Sequence, residues 1–108
     1  METKLYDKVA SFHERRAKVY KDGLIGFIDE EGISITPVKW EDASDFCEGL
    51  ACVADPETGE YGFIDTEGEV VIPFQWFAAH PFRNGKAEVA DEEGNWYTID
   101  KEGNIIDE

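Results

Sequence analysis

Short clusters of carboxylates are the most conspicuous chemistry in this 108-residue chain, above all Asp29-Glu30-Glu31 and Asp91-Glu92-Glu93, each followed by glycine. Such clusters invite a calcium reading. Calcium, however, takes about six to eight oxygens at one point, and an EF-hand spreads its ligands over about twelve residues. These stretches are too short to supply that alone. An aspartate that opens a turn is explained by its side chain bonding the backbone two residues on, so turn chemistry is the first reading.

The other groups with reactive potential are few. His13 and His80 sit at non-equivalent places, and the two cysteines, Cys47 and Cys52, are five apart. A structural zinc site takes about four ligands, and His80 with the two cysteines supplies fewer, in neither CxxC nor HxxxH spacing. A cysteine nucleophile needs a base and an oxyanion site, and no motif offers either. No glycine cluster forms a GxGxxG or a P-loop. The sequence therefore argues for no enzyme, no metal and no cofactor. One short-range disulfide is an odd staple for a chain with an adequate core, so both thiols are expected free in a reducing compartment.

The elements that must position these residues follow from a repeat. Ile25-Gly26-Phe27-Ile28-Asp29-Glu30-Glu31-Gly32 is echoed by Tyr61-Gly62-Phe63-Ile64-Asp65-Thr66-Glu67-Gly68. A worn third copy reads Trp96-Tyr97-Thr98-Ile99-Asp100-Lys101-Glu102-Gly103. Upstream, Tyr6, Trp40 and Trp76 correspond, as do Phe12, Phe46 and Phe82, then Ala17, Ala51 and Ala87, then Val19, Val53 and Val89. A single domain, 1–108, thus holds three units, approximately 5–38, 39–74 and 75–108. Each reads as about three short antiparallel strands. In the middle unit these are 49–54, 61–64 and 69–72, punctuated by the Asp55 to Gly59 turn cluster and by Pro73, which cannot donate to a ladder. Asp65-Thr66-Glu67-Gly68 has the composition of a three-residue hairpin loop with a bulge. Leu5, Val9, Phe12 and Arg16 stand at helical spacing, so an amphipathic turn over 3–16 competes with an irregular segment ending at Phe12.

These features resemble bacterial WG repeats, also called KWG repeats. The resemblance is carried by the Gly-Phe-Ile-Asp-x-x-Gly hairpin, the Val-Ile-Pro exit, the Trp-x-x-Ala-x-x-Phe-x-x-Gly-x-Ala-x-Val entry and the period near 35, from Tyr6 to Ile106. It implies tandem all-β units stacked side by side and no family-wide catalytic residue. No copy holds a literal Trp-Gly pair: the positions read Ile25-Gly26, Tyr61-Gly62 and Trp96-Tyr97. Divergence of terminal units is expected where an array must be capped. Curved sheet, barrel and short solenoid all remain compatible with the pattern.

Charge narrows the partners. The chain is 42% hydrophobic and 13% aromatic with a net charge of -15, too oily for a disordered acidic tail. Residues 1–21 carry +3, whereas the rest carry 22 acids against four bases, or -18. Phosphate contacts need a basic face, so nucleic acid is an unfavourable partner. No apolar run approaches the roughly 18 residues of a membrane helix, and Met1 to Tyr6 has no signal-peptide core. The expectation is a soluble, cytoplasmic protein without a membrane role.

Two surfaces stand out as partner-binding candidates. Alternation turns Ala51, Val53 and their equivalents inward. On the opposite face the first unit has Arg16 and Lys18 and the third Lys86 and Glu88, but the middle one has Leu50 and Cys52. Either a neighbouring segment covers that strand or it shows an apolar spot flanked by charge. Trp76 and Phe77 could stack on a carbohydrate or peptide, although repeating aromatics are usually core. The leading expectation is a non-enzymatic module for protein-protein interaction. The alternative is an acidic inhibitor or immunity-type protein that neutralises a basic partner. Homodimerisation is one way for three units to hide their end faces and sheet edges.

Overall fold

The computed structural model describes residues 6–106, in which all the regular structure is β. The first sheet runs β1 (Lys8–His13), β2 (Arg16–Lys21), β3 (Leu24–Asp29) and β4 (Ser34–Trp40), each antiparallel to the next. The second repeats it as β5 (Asp42–Ala43), β6 (Leu50–Ala54), β7 (Tyr61–Asp65) and β8 (Val70–Trp76). The third has β9 (Ala78–Ala79), β10 (Ala87–Ala90) and β11 (Trp96–Ile99), with β10 in the middle. The all-β expectation and the three units stand. The strands number eleven among the described residues rather than about nine, because the entry segment of every unit also pairs while the last segment of unit 3 is reduced to the isolated Ile99–Ile105 bridge.

That extra strand corrects the reading of the N-terminus. Residues 3–5 of the expected helical turn lie outside the described residues. From Lys8 to His13 the chain is neither helical nor irregular: it is β1, with Val9 opposite Val19 and Phe12 opposite Ala17. Pairing gives the outer edge of β2 a partner for its backbone groups, a tertiary gain that outweighs local spacing.

The array does not close into a barrel. β4 ends at Trp40 and β5 starts at Asp42, while β8 ends at Trp76 and β9 starts at Ala78, so each sheet hands the chain directly to the next. The outcome is an elongated stack measuring 56 × 26 × 19 Å.

Local chemistry explains the hairpins. Asp29 Oδ1 accepts the amides of Glu31 and Ile33, both at 2.9 Å, and Asp65 Oδ1 does the same for Glu67 and Glu69. Asp91 and Asp100 repeat the arrangement. The glycine of each turn donates back to the aspartate carbonyl, as with Gly32 to Asp29 at 3.0 Å. These carboxylates therefore organise turns.

Gly26 and Gly62 are required for a different reason. A Cβ on Gly62 would lie 2.6 Å from the Ile72 carbonyl oxygen, and one on Gly26 would lie 2.8 Å from that of Pro37. The fourth strand crosses there, and the pairing shifts register across each glycine and again just past the phenylalanine that follows it. Unit 3 carries Tyr97 at the equivalent place. Its C-terminal segment makes the Ile99–Ile105 bridge, an Ile106 N–H bond to the Thr98 carbonyl and the Asp100–Asn104 turn bond, and among the described residues no fourth strand crosses Tyr97.

The core lies between sheets. The inward residues Ala51, Val53, Ala87 and Val89 are buried as their alternation predicts. One cluster joins Phe27 and Ile25 of unit 1 to Phe46, Ala51 and Val53 of unit 2. A second joins Leu50, Cys52 and Phe63 of unit 2 to Phe82, Ala87 and Val89 of unit 3.

Candidate interaction surface

Each unit shows a forward face that meets the unit after it and a backward face that meets the unit before it. On the forward face of unit 2 stand Glu48, Leu50, Cys52 and Phe63. The backward face of unit 3 answers with Phe82, whose ring meets Phe63 edge-on at 4.9 Å. The seam between units 1 and 2 repeats the contact, with Phe27 and Phe46 at 4.8 Å. Edge-to-face rings at such separations add to the gain from burial itself.

A glutamate fastens each seam. Glu14 Oε2 and Oε1 accept the amides of Glu48 and Gly49 at 2.6 and 2.8 Å. One unit on, Glu48 accepts those of Asn84 and Gly85 at the same two distances. All three turns place two successive residues at positive φ, which points adjacent amides the same way. Lys101 Nζ completes the second staple, 2.9 Å from the Glu48 carbonyl oxygen and 3.5 Å from its carboxylate. The Gly85 amide, with those of Asn84 and the Lys101 ammonium, holds the Glu48 carboxyl below its ordinary value of 4.5 against an opposing desolvation.

The sign of that shift fixes a pH dependence. A carboxyl lowered in the folded state stabilises the fold above its unfolded value, and the contribution is lost as pH falls through the folded one. Asp91 and Asp100 are lowered too, chiefly by the amides of Asn95 and Asn104, and act in the same direction. Melting temperature is expected to drop from about pH 5 downward, and Glu48→Gln to shrink that drop. Thermal melts of both proteins across the range check this; parallel curves would show that the second staple contributes nothing.

The sequence-derived site residues separate cleanly. Leu50 and Cys52 are covered: unit 3 lies over them, and Cys52 Sγ is 3.8 Å from the Ala79 carbonyl oxygen. The expected central apolar spot is thus an internal seam, and burial also pushes the Cys52 thiol up. Trp76 is core, its ring 5.9 Å from that of Tyr97. Among the described residues its Nε1 has no hydrogen-bond partner, because Ile72 stands where Thr36 accepts from Trp40 Nε1 in the first sheet. Phe77 alone of the four is exposed, at 64%. Both cysteines are free thiols, and the described residues contain no cluster of metal-ligating side chains.

Sequence reasoning missed the open forward face of unit 3. Here Asn84, Lys86, Glu88 and Thr98 replace Glu48, Leu50, Cys52 and Phe63, and no unit follows them among the described residues. They line a concavity of about 600 Å³ together with His80, Phe82 and Arg83. At its rim Trp96, 52% exposed, stacks on His80 with ring centroids 5.2 Å apart. Comparing Trp96 with Ile25 and Tyr61, its counterparts, would have marked it as the large aromatic on a face that no described unit covers.

Two segments, 25–54 and 61–96, match the model of the family described as WG containing repeat. Together they span more than half of the chain, so it belongs to the WG repeat family. No curated protein and no solved structure matches it. No helix among the described residues is long and apolar enough to cross a membrane.

Proposed function

We propose that this chain is a non-enzymatic repeat module that binds another protein through the open forward face of unit 3. One observation carries the reading: Lys86 and Glu88, whose counterparts Leu50 and Cys52 are buried under unit 3 and whose counterparts Arg16 and Lys18 are half-covered by unit 2, are exposed here, beside a half-exposed tryptophan. Exposed tryptophans beside a concavity are among the side chains that concentrate binding energy in protein interfaces. Phe77 extends it, since its amide bonds Ala90, the residue paired with Trp96. Cytoplasmic residence accords with the two free thiols.

The second reading, an acidic inhibitor of a basic protein, is supported by the net charge of -15 and by the exposure of Glu30, Glu31, Glu92, Glu93 and Glu102. Salt separates the two, because exposed charge pairs are screened and apolar anchors are not. The immobilised chain is expected to retain one protein from a lysate of its source at high salt. Trp96→Ala should weaken that retention by about tenfold or more without lowering the melting temperature. Equal retention by the variant would remove the unit 3 face. Retention lost in salt for both forms would favour the acidic surface.

A further inference from the structure

The two staples leave one socket without a plug. Glu48–Gly49 and Asn84–Gly85 each present a pair of amides to a glutamate of the preceding unit. The Glu14–Arg15 turn has the same backbone, with φ of 52° and 70°, yet its amides meet no acceptor among the described residues. Two further parts of the seam are open at the same end. Phe12 is 45% exposed, whereas Phe46 and Phe82 are buried. A Cβ on Gly32 would meet nothing within 4 Å, whereas one on Gly68 would lie 2.9 Å from Ile35 of the preceding unit.

Arg15 points the same way. Its counterparts are Gly49 and Gly85, which take positive φ without steric cost, but a side chain there costs about 1 kcal/mol or more. The side chain that takes this strain is a cation, where Gly49 and Gly85 have none. Arg15 is 79% exposed, 3.5 Å from Glu30, and lines a shallow pocket of about 300 Å³ with Arg16 and the 29–31 turn. In unit 3 the cation next to the staple is Lys101, which binds the incoming Glu48.

We infer that the Glu14–Arg15 turn is a carboxylate-binding seat for a partner protein that offers an acidic β-turn next to an aromatic side chain, the forward face of another repeat unit. Ala17 and Val19 on the same end are already buried against Tyr6 and Val38, so the seat is the turn edge with Phe12 rather than a whole sheet. A second copy of this chain is the wrong occupant. Its forward end carries Asn84 in place of the glutamate and Thr98 in place of the phenylalanine, and its Glu14 is consumed by unit 2. The seat rests on the interaction reading above but uses the opposite end of the array.

The test restores the missing plug. The probe is a copy of this chain carrying Asn84→Glu, Glu88→Ala and Thr98→Phe, with Phe12→Lys to stop it binding itself. Added to ¹⁵N-labelled wild type, it should move the Glu14 and Arg15 amides downfield toward the positions of their stapled counterparts, saturating at one probe per chain. The same probe with native Asn84 should leave them in place, and Arg15→Gly in the labelled chain should weaken binding by about fivefold. Unmoved amides with a probe whose circular dichroism matches wild type, or equal shifts with native Asn84, would overturn the seat. Lysate capture sensitive to Trp96→Ala alongside unmoved amides removes the seat and leaves the interaction module standing.

Discussion

Phe63→Ala is expected to destabilise the chain by about 3–5 kcal/mol, the range for emptying an aromatic site in a packed core. Phe63 has no exposed surface and belongs to the seam cluster with Leu50, Ile72 and Phe82. Its loss removes the edge-on contact to Phe82 and leaves a void that two sheets would have to close together. The same change at the equivalent position of unit 3, Thr98→Ala, should cost no more than about 0.5 kcal/mol, because no described unit packs against that face. Denaturant melts of both variants measure the difference. Equal, small losses would mean that the seams do not hold the units together.

Gly62→Ala should cost about 3 kcal/mol, the upper end of what overpacking does. The added carbon would meet the Ile72 oxygen and, at 3.1 Å, the Phe74 nitrogen, so backbone rather than a movable side chain must yield. The position also explains the family's glycine and this chain's departure from it. Where a fourth strand crosses, only glycine fits; in unit 3 none crosses among the described residues, and a tyrosine stands there. Tyr97→Gly meets no such backbone clash and forfeits side-chain contacts, among them the ring contact with Trp76 and the hydroxyl bond to Asp91 Oδ2 at 3.2 Å; a loss larger than that of Gly62→Ala would contradict this account.

The parts that were readable in the sequence are those decided locally. Asp65-Thr66-Glu67-Gly68 specifies its turn by side-chain chemistry, and Ala51 and Val53 announce their face by alternation. β5 and β9 were not readable because two residues carry no periodicity, and β1 because its helical spacing is overruled by pairing with β2. Whether Leu50 is covered depends on how the next unit stacks, which no property of the strand itself decides. Glu14 and Glu48 were invisible as lone glutamates among 25 acids. Their signal was register: Glu14, Glu48 and Asn84 fall at equivalent positions, followed by Arg15, Gly49 and Gly85.

Unit-to-unit stacking also accounts for where binding is proposed. Inside the array, forward faces are spent on folding, and at the unit 3 end one is uncovered among the described residues, with Trp96 at its rim. Trp40 and Trp76 are 4% and 7% exposed, so acrylamide should quench one of the three tryptophans readily, and Trp96→Ala should abolish that fraction. The most direct test is to repeat the quenching on the complex with the captured protein. If the unit 3 face is the binding surface, the readily quenched fraction disappears on complex formation; if Trp96 stays as accessible in the complex as in the free chain, the partner binds elsewhere and the central claim fails.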